Sequence, residues 1–395
     1  MKNVYILDGA RTPFGSFGKS LKNISATEMG YLTAEEAIKK SQVNKKDIDQ
    51  VVYGNVIHSS TNAPYISRHI ALQTGIPEST PSLTLNRLCG SGMQAVVSAA
   101  QSIMLNESEI ALAGGSENMS MAPHSDFISR FSGKKLGSLR FEDMLLSALT
   151  DEYSGCGMGV TAENLAEKYN ISRKQQDEYA FESHQRAAQA IDSGRFKQET
   201  ISIDAKQGKE TFSFTEDEHV KKETTVDKLA SLPTSFKKDG TVTAGNSSGI
   251  NDGAASVILA STDYINKTQE TPLAKIVSWG ISGVDPKIMG IGPVPATKIA
   301  LKRAGLEVKN LDLIEINEAF AAQYLAVEKE LELDRNITNI NGGAIALGHP
   351  VGASGTRILL TLAYELKKRN LRYGLASLCI GGGQGIAMII ENRSK

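Results

Sequence analysis

The sequence predicts an α/β protein with a duplicated core, because strands and helices alternate in two separate stretches that resemble each other. Apolar strands and helical segments follow one another over residues 4–113, and the alternation starts again after residues 254–260. Such alternation is typical of mostly parallel sheets covered by helices. With 395 residues the chain also exceeds the usual size of a single core, so we expect more than one core unit.

The second half of the chain repeats the first half in the same order. One match has no gap and places Asp312 on Asp49 and Leu311 on Ile48, and the other matches are looser. A single match can arise by chance, whereas matches in the same order favour duplication. We therefore expect two halves that pack together with equivalent loops side by side. The matched segments are 37–54 with 300–317, 83–93 with 337–355, and 110–116 with 373–381.

Local signals define the elements within each half. Ser25 and Glu28 have the spacing of a capping box, which predicts the start of a helix. Short apolar runs bounded by turn residues predict strands. The first predicted helix ends near residue 41, and the others span 65–74, 93–104, 161–169, 173–191, 317–331 and 356–368. The predicted strands span 50–57, 82–85, 110–113, 254–260, 313–316, 374–378 and 386–390.

A polar segment interrupts the first half and indicates an insertion or lid. Residues 119–159 are rich in Met, Ser, Gly and Pro, and the charged run 200–223 is typical of solvated surface. Within that run, Lys221 and Lys222 are candidates for contact with an anionic ligand on composition alone. The predicted domains are a first half (1–118 plus 250–270), an insertion (119–249) and a second half (271–395).

The composition narrows the class of protein. A net charge of −1 provides no global field for nucleic acid or an anionic membrane, so neither partner is expected. Three cysteines are too few for a disulfide framework and suggest a reducing compartment, and no metal-binding spacing is present. The start of the chain has no signal-peptide pattern, and no apolar run reaches the roughly 18 residues that span a bilayer. We therefore expect a cytoplasmic protein.

Cys89 lies between the strand 82–85 and a helix, with Gly90 and Gly92 in the turn. Backbone N–H groups at a helix N-terminus favour thiolate over thiol, so this position suits a nucleophile. A small buried residue at a tight turn is the other interpretation, and for a lone cysteine it is the commoner one. The choice depends on a base elsewhere in the chain.

Three further residues can complete a site with Cys89. His349 lies in a glycine-dense loop that duplication places opposite the cysteine, where imidazole could take the thiol proton. Cys379 precedes a glycine-rich turn that leads into a strand, which argues against a dinucleotide site and favours a general acid/base beside backbone N–H groups. Asn317 follows a strand, where α/β sheets bind ligands, although it is also a candidate helix N-cap.

Six segments carry a resemblance to a known family, namely NRLCGSGMQ (86–94), GGSENM (114–119), GNSSGINDG (245–253), NEAF (317–320), GHPVGASG (348–355) and CIGGGQG (379–385). Taken together, these segments resemble the thiolase family, over nearly the whole chain and in family order. The resemblance implies a five-layered α-β-α-β-α core, formed by the two halves, with an inserted loop domain. It also implies an acyltransferase that condenses two acetyl-CoA reversibly to acetoacetyl-CoA or cleaves 3-ketoacyl-CoA with CoA.

By this resemblance the catalytic residues have distinct roles. Cys89 would carry the acyl group as a thioester in a ping-pong cycle, activated by His349, and Cys379 would be the acid/base at the acetyl carbon. Asn317, through a water, and His349 would form one oxyanion hole. The N–H groups of Cys89 and Gly381 would form the other.

The resemblance also implies partners and contacts. CoA, acetyl-CoA and acyl-CoA would be substrates or products, no metal or redox cofactor would be needed, and the chain would form a homodimer or homotetramer. Residues 121–139 resemble the loop that joins dimers. The implied contacts are Ser248 with pantetheine, Met158 and Phe320 with the acyl group, and Lys221 with the nucleotide end.

The sequence departs from the family pattern beside the acyl pocket. Gly157 stands where short-chain thiolases commonly have histidine, and residues 232–236 read LPTSF rather than the usual LRPxF. Loss of the imidazole could make room for a longer acyl chain. Two alternative functions are a ketoacyl-synthase-like condensing enzyme, which the second cysteine disfavours, and a non-catalytic acyl-CoA-binding protein, which intact Cys89, His349 and Cys379 disfavour.

Overall fold

A computed structural model describes residues 2–132 and 135–392. The strands within these ranges are rich in small and branched apolar residues. In chain order they are β1 (Val4–Arg11), β2 (Gly15–Ser16), β3 (Gln50–Gly54), β4 (Ser82–Leu85), β5 (Ile110–Asn118), β6 (His124–Ser125), β7 (Glu142–Asp143), β8 (Thr150–Asp151), β9 (Cys156–Gly157), β10 (Ile203–Gln207), β11 (Glu210–Phe214), β12 (Asn251–Ser261), β13 (Ala274–Gly283), β14 (Leu313–Ile316), β15 (Tyr373–Ile380) and β16 (Gln384–Glu391).

The helices follow the predicted periodic segments closely. Ser25 caps the first helix, since its hydroxyl accepts a hydrogen bond from the N–H of Glu28 at 3.1 Å. Within the described part of the chain, no helix is long and apolar enough to cross a bilayer. The helices are α1 (Ala26–Ser41), α2 (Ile66–Gln73), α3 (Ser91–Met104), α4 (Ser129–Ser132), α5 (Met144–Ala148), α6 (Met158–Tyr169), α7 (Arg173–Asp192), α8 (Val226–Ala230), α9 (Thr262–Thr268), α10 (Pro293–Ala304), α11 (Ala321–Leu331), α12 (Ala344–Leu347) and α13 (Ser354–Arg369).

The main sheet is mixed, so the expectation of a mostly parallel sheet is wrong. Its strand order is β14-β15-β16-β13-β1-β12-β5-β3-β4, with β2 beside β12. Only β14 with β15 and β3 with β4 and β5 pair in parallel, and these strands are separated by helices as predicted. The other pairs are antiparallel, because β16 follows β15 through a tight turn and β12 returns after the long insertion.

Alternation along the strands divides the core into layers. In β5, Leu112 packs with α1 and α2, whereas Ala111 and Ala113 face the cluster formed by α3 and α13. In β15, Ala376 faces that same central cluster and Leu375 packs with α10 and α11. The layers are therefore helix, strand, helix, strand, helix, as the fold class predicts.

The predicted duplication is visible in equivalent hydrogen bonds. The carboxylate of Asp49 accepts from the N–H of Ile110 at 3.2 Å, and that of Asp312 accepts from the N–H of Tyr373 at 2.8 Å. Each aspartate thereby fixes the start of a strand that pairs in parallel, β5 in the first half and β15 in the second. The gapless match between the halves thus has a structural cause.

The two central helices cross at glycines that are also equivalent. A Cβ on Gly92 of α3 would lie 2.8 Å from the backbone N of Thr356, and a Cβ on Gly355 of α13 would collide with the backbone N of Met93. Real Cβ atoms do not approach backbone so closely, so the crossing requires glycine on both helices. It brings the loops that precede α3 and α13 together.

The insertion does not form a core of its own, and part of its charged run is buried. Its helices α6 and α7 share an apolar cluster with α10 and α11. The run 200–223 contains the β10–β11 hairpin, and the side chain of Asp217 is only 2% exposed where it pairs with Arg11. The expectation of a wholly solvated surface is wrong here because the charge of Asp217 is matched by a buried arginine.

We expect Asp217→Asn to lower the free energy of unfolding by about 3 kcal/mol, because the buried Arg11 would lose one of its two carboxylate partners and keep only Glu199. Arg11 Nη1 and Nη2 lie 2.7 and 2.8 Å from the two Asp217 oxygens. Urea unfolding followed by circular dichroism measures the loss. Asp192→Asn is the control, since its pair with Lys222 is exposed and should contribute less than about 1 kcal/mol. Equal losses for both variants would contradict the prediction.

Candidate active site

Cys89 lies on a strained turn between β4 and α3. It precedes Gly90, the residue at the N-cap position of α3, as the sequence predicts. Leu88 adopts φ +46°, a left-handed conformation that is uncommon for a bulky residue and that clusters at functional sites. Ser91 stabilises the turn, since its hydroxyl accepts from the N–H of Arg87 at 2.8 Å and donates to the carbonyl of Leu88 at 2.7 Å.

The electrostatics of Cys89 differ from the expectation of a resting thiolate. Burial raises the pKa of the Cys89 thiol, and the charge of Glu117 adds to the rise. The N–H groups of Gly381 and of Cys89 itself are directed at the sulfur and act in the opposite sense. The predicted helix effect is therefore outweighed by desolvation, and the resting group is a thiol.

Cys379 lies beside Cys89 at the end of β15. The side chain is fully buried. Burial raises the pKa of the Cys379 thiol well above its ordinary value, and the nearby Cys89 adds to the rise. Gly382 and Gly383 have φ of +76° and +80°, which turns the chain into β16 and aims the Gly381 N–H at Cys89. No helix follows, in agreement with the rejection of a dinucleotide site.

His349 is held in one tautomer by Ser354. The Ser354 hydroxyl donates to the carbonyl of Pro350 at 2.9 Å, so it must accept from His349 Nδ1–H at 2.6 Å. The lone pair of His349 is then on Nε2. Burial lowers the pKa of His349 to about 3, with a contribution from the charge of Arg357, so the ring is a neutral base at pH 7.

Asn317 follows β14 and faces His349. Its Nδ2 lies 3.4 Å from His349 Nε2, and its Oδ1 is buried without a hydrogen-bond partner among the described residues. The alternative role as a helix N-cap is wrong, because α11 begins at Ala321 and Phe320 occupies the cap position. Its amide is therefore free to bind a substrate oxygen or a water.

Of the predicted acyl-pocket residues, Met158 lies beside Gly381. Met158 Sδ is 3.3 Å from the position that a Cβ on Gly381 would take. Phe320 is buried. The N–H of Ser248 donates to the carbonyl of Ala319, the residue before Phe320, at 3.0 Å. Gly157 borders open space, since a Cβ there would meet only the carbonyl oxygen of Leu149, at 3.9 Å.

Lys221 lies apart from this group, on the wall of a separate cavity of about 970 Å³. Lys222 and Lys228 line the same cavity, and so do the acidic residues Glu216, Asp217, Glu218 and Glu223. The backbone N–H of Lys221 donates to His184 Nδ1 at 3.1 Å. This cavity therefore has mixed charge, and it lies away from Cys89.

Sequence reasoning missed four residues that support the site. Ser354 sets the tautomer of His349, and Asn251 Oδ1 accepts from the N–H of His349 at 2.9 Å. Glu117 and Glu318 are completely buried beside these loops. A glutamate inside the apolar strand β5 and another directly after Asn317 were signals of buried hydrogen-bonded carboxylates.

Comparison with known proteins shows the family. Residues 4–263 match the family described as "Thiolase, N-terminal domain", and residues 270–392 match "Thiolase, C-terminal domain". This chain belongs to the thiolase family. The thiolase is 51% identical to the mitochondrial 3-ketoacyl-CoA thiolase of Homo sapiens, with 99% of each chain covered. It is 49% identical to beta-ketothiolase BktB of Cupriavidus necator, with 99% of each covered.

A solved structure supports the same assignment. The crystal structure of human mitochondrial 3-ketoacyl-CoA thiolase in complex with CoA superimposes with a TM-score of 0.96, is 50% identical, and covers 99% of this chain and 98% of that one. This thiolase is accordingly an acyltransferase that acts on CoA thioesters. The comparisons favour neither the ketoacyl-synthase-like nor the non-catalytic alternative. The human relative is named as mitochondrial, so a cytoplasmic location stays a prediction.

His349 should make the protein acid-sensitive. In the unfolded chain its pKa is about 6.5, whereas burial lowers it to about 3 in the folded protein, so stability is lost as pH falls between these values. At pH 5 the wild type should have lost about 2 kcal/mol more than His349→Gln, relative to pH 7. Urea unfolding of both proteins at the two pH values measures this difference. The same loss in both would show that His349 is not the buried neutral group described above.

Proposed function

We propose that this thiolase transfers acyl groups through a thioester on Cys89. One observation carries the proposal, namely the convergence of four groups at the sulfur. The N–H groups of Cys89 and Gly381 are directed at it, and the Cys379 thiol is its neighbour. Val351 of the His349 loop packs in the same apolar cluster as Cys89, and Asn317 from a second loop lies 3.4 Å from His349 Nε2. A nucleophile, an oxyanion hole, an acid and a base are the parts that Claisen chemistry needs.

In thiolysis, the Cys89 thiol would give its proton to His349 Nε2 while the sulfur bonds to the 3-keto carbon. The oxyanion would be stabilised by the N–H groups of Cys89 and Gly381, an effect worth about 3 kcal/mol. The C2–C3 bond then breaks, and its electron pair forms the enolate of acetyl-CoA, whose oxygen faces His349 and Asn317. The Cys379 thiol protonates C2, since its raised pKa keeps it protonated at neutral pH.

In the second half-reaction, the thiol of CoA attacks the Cys89 thioester. The proton of the CoA thiol passes to Cys379 and restores the Cys379 thiol. The Cys89 sulfur leaves and takes back its own proton from His349. The products are acetyl-CoA and an acyl-CoA two carbons shorter, and condensation of two acetyl-CoA is the reverse. The proposed cycle calls for no metal or redox cofactor, since CoA is itself substrate and product.

We further propose that the insertion, residues 119–249, binds CoA along its length. Ser248 lies beside Phe320 at the proposed acyl end, and the ammonium groups of Lys221 and Lys228 would face the phosphates of the nucleotide end from a cavity that acidic residues also line. The same segment carries Phe131 and Tyr153, each 92% exposed, which supports assembly into a homodimer or homotetramer. Residues 133–134 of the dimer-joining loop, predicted at 121–139, lie outside the described residues.

We also propose that Gly157 widens the acyl pocket. The open space beside it adjoins Leu149, which packs in the apolar cluster that includes Cys89. A histidine at this position would fill that space. The 3-ketoacyl-CoA thiolase name of the human relative is compatible with substrates longer than four carbons.

Incubation with acetyl-CoA should add one acetyl group to the intact protein, because the proposed cycle passes through acetyl-Cys89. Mass spectrometry of the quenched protein measures the uptake. Cys89→Ala should take up none, whereas Cys156→Ala, which removes the half-buried third cysteine, should be acetylated normally. Wild type without uptake, or uptake by Cys89→Ala, would refute the covalent mechanism.

Gly157→His should lower kcat/KM for an eight-carbon 3-ketoacyl-CoA at least about tenfold and change the four-carbon value little, since the imidazole would occupy the space for the longer chain. Thiolysis rates of both substrates give the ratio. Glu152→His is the matched control, because that residue is exposed in the neighbouring turn. A strong four-carbon preference in the wild type would overturn the proposal.

A further inference from the structure

The loop that carries His349 has little regular structure of its own. This His349 segment, residues 343–353, contains only the four-residue helix α12, and Gly348 has φ +107°. A catalytic base has to be held within a fraction of an ångström to act efficiently. The contacts at the two ends of the segment show what holds it.

Glu318 binds the first end of the His349 segment. Its Oε2 accepts from the N–H of Ile345 at 3.1 Å and from the hydroxyl of Ser183 at 2.7 Å. Its Oε1 accepts from the hydroxyl of Tyr179 at 2.7 Å and from Asn339 Nδ2 at 3.0 Å. The completely buried carboxylate thus ties the segment to α7 of the insertion.

Glu117 binds the other end in the same manner. Its Oε2 accepts from the N–H groups of Gly352 and Val56, both at 3.0 Å. Its Oε1 accepts from the N–H of Ile57 at 3.0 Å and from Asn55 Nδ2 at 3.2 Å. This carboxylate is also completely buried and ties the segment to the first half of the core.

Glycines allow both carboxylates to touch the backbone of the segment. A Cβ on Gly343 would lie 2.5 Å from Glu318 Oε1, and a Cβ on Gly352 would lie 2.7 Å from Glu117 Oε2. Neither distance is possible for a real side chain without displacing the carboxylate. The two ends of the segment are therefore built for close contact with a glutamate.

We propose that Glu117 and Glu318 are positioning residues, which hold the His349 segment at its two ends and so fix His349 Nε2 relative to Cys89. The inference rests on the role given to His349 in the proposed function. Neither glutamate touches the substrate, and each acts through the loop backbone. Glutamine in place of either one would leave donors unmatched, because an amide nitrogen cannot accept their hydrogen bonds.

The test is the rate of Cys89 acetylation by acetyl-CoA, measured by rapid quench and mass spectrometry. Glu117→Gln and Glu318→Gln should each slow acetylation about 100-fold, the usual effect of a 1 Å misplacement. In a His349→Ala background the same substitutions should have no further effect, because the residue through which they act is absent. A purely structural role would give the same loss in both backgrounds.

Glu163→Gln is the matched control. Glu163 is also buried, and it accepts from the N–H groups of Thr241 and Val242 at 2.9 and 2.8 Å, but it does not contact the His349 segment. This variant should lose stability and keep the wild-type acetylation rate per folded molecule. Circular dichroism and CoA affinity report the folded fraction for every variant.

Milder variants keep the proposal testable if the glutamine variants do not fold. Ser183→Ala and Asn55→Ala each remove one donor from a glutamate and should slow acetylation several-fold, again only when His349 is present. Wild-type rates in all glutamate and donor variants, or additive losses with His349→Ala, overturn the positioning role. An unchanged rate in His349→Ala alone would instead overturn the role of His349 in the proposed function.

Discussion

The crossing of α3 and α13 is the contact on which the site depends. Each helix presents a glycine to the backbone of the other, Gly92 to Thr356 and Gly355 to Met93, at the same point in the duplicated pattern. Because both helices begin at this crossing, the residues just before them, among them Cys89, are brought to one point. A larger residue at either glycine would separate the halves and, with them, Cys89 from His349, the proposed nucleophile and base.

The two thiols and the imidazole of the site are held as neutral species. Burial raises the pKa values of the Cys89 and Cys379 thiols and lowers that of His349 to about 3. Formation of an ion pair before substrate arrives would cost free energy in this environment. In the proposed cycle, charge would therefore develop only as bonds to substrate change, and the backbone N–H groups of Cys89 and Gly381 are already oriented to stabilise it.

Much of this arrangement was predictable from local sequence. The strands β4 and β14 have the predicted bounds, Ser25 caps α1, and the match of Asp49 with Asp312 reports equivalent hydrogen bonds. The errors concern interactions between residues distant in sequence. Antiparallel returns cannot be read from helix–strand alternation, and the burial of Asp217 depends on Arg11, about half the chain away. The burial of Cys89 likewise involves residues distant in sequence, such as Leu145 and Val351, which no local pattern at residue 89 reveals.

The shared core of the insertion and the second half has a consequence for biosynthesis. Helices α6 and α7 bury their apolar faces against α10 and α11, and the same cluster includes Leu375 and Ile389. A ribosome makes these partners long after it has made the insertion. The apolar faces of α6 and α7 therefore stay uncovered on the nascent chain until synthesis is almost finished. During that interval they are natural sites for a chaperone, and a prematurely terminated chain would expose them permanently.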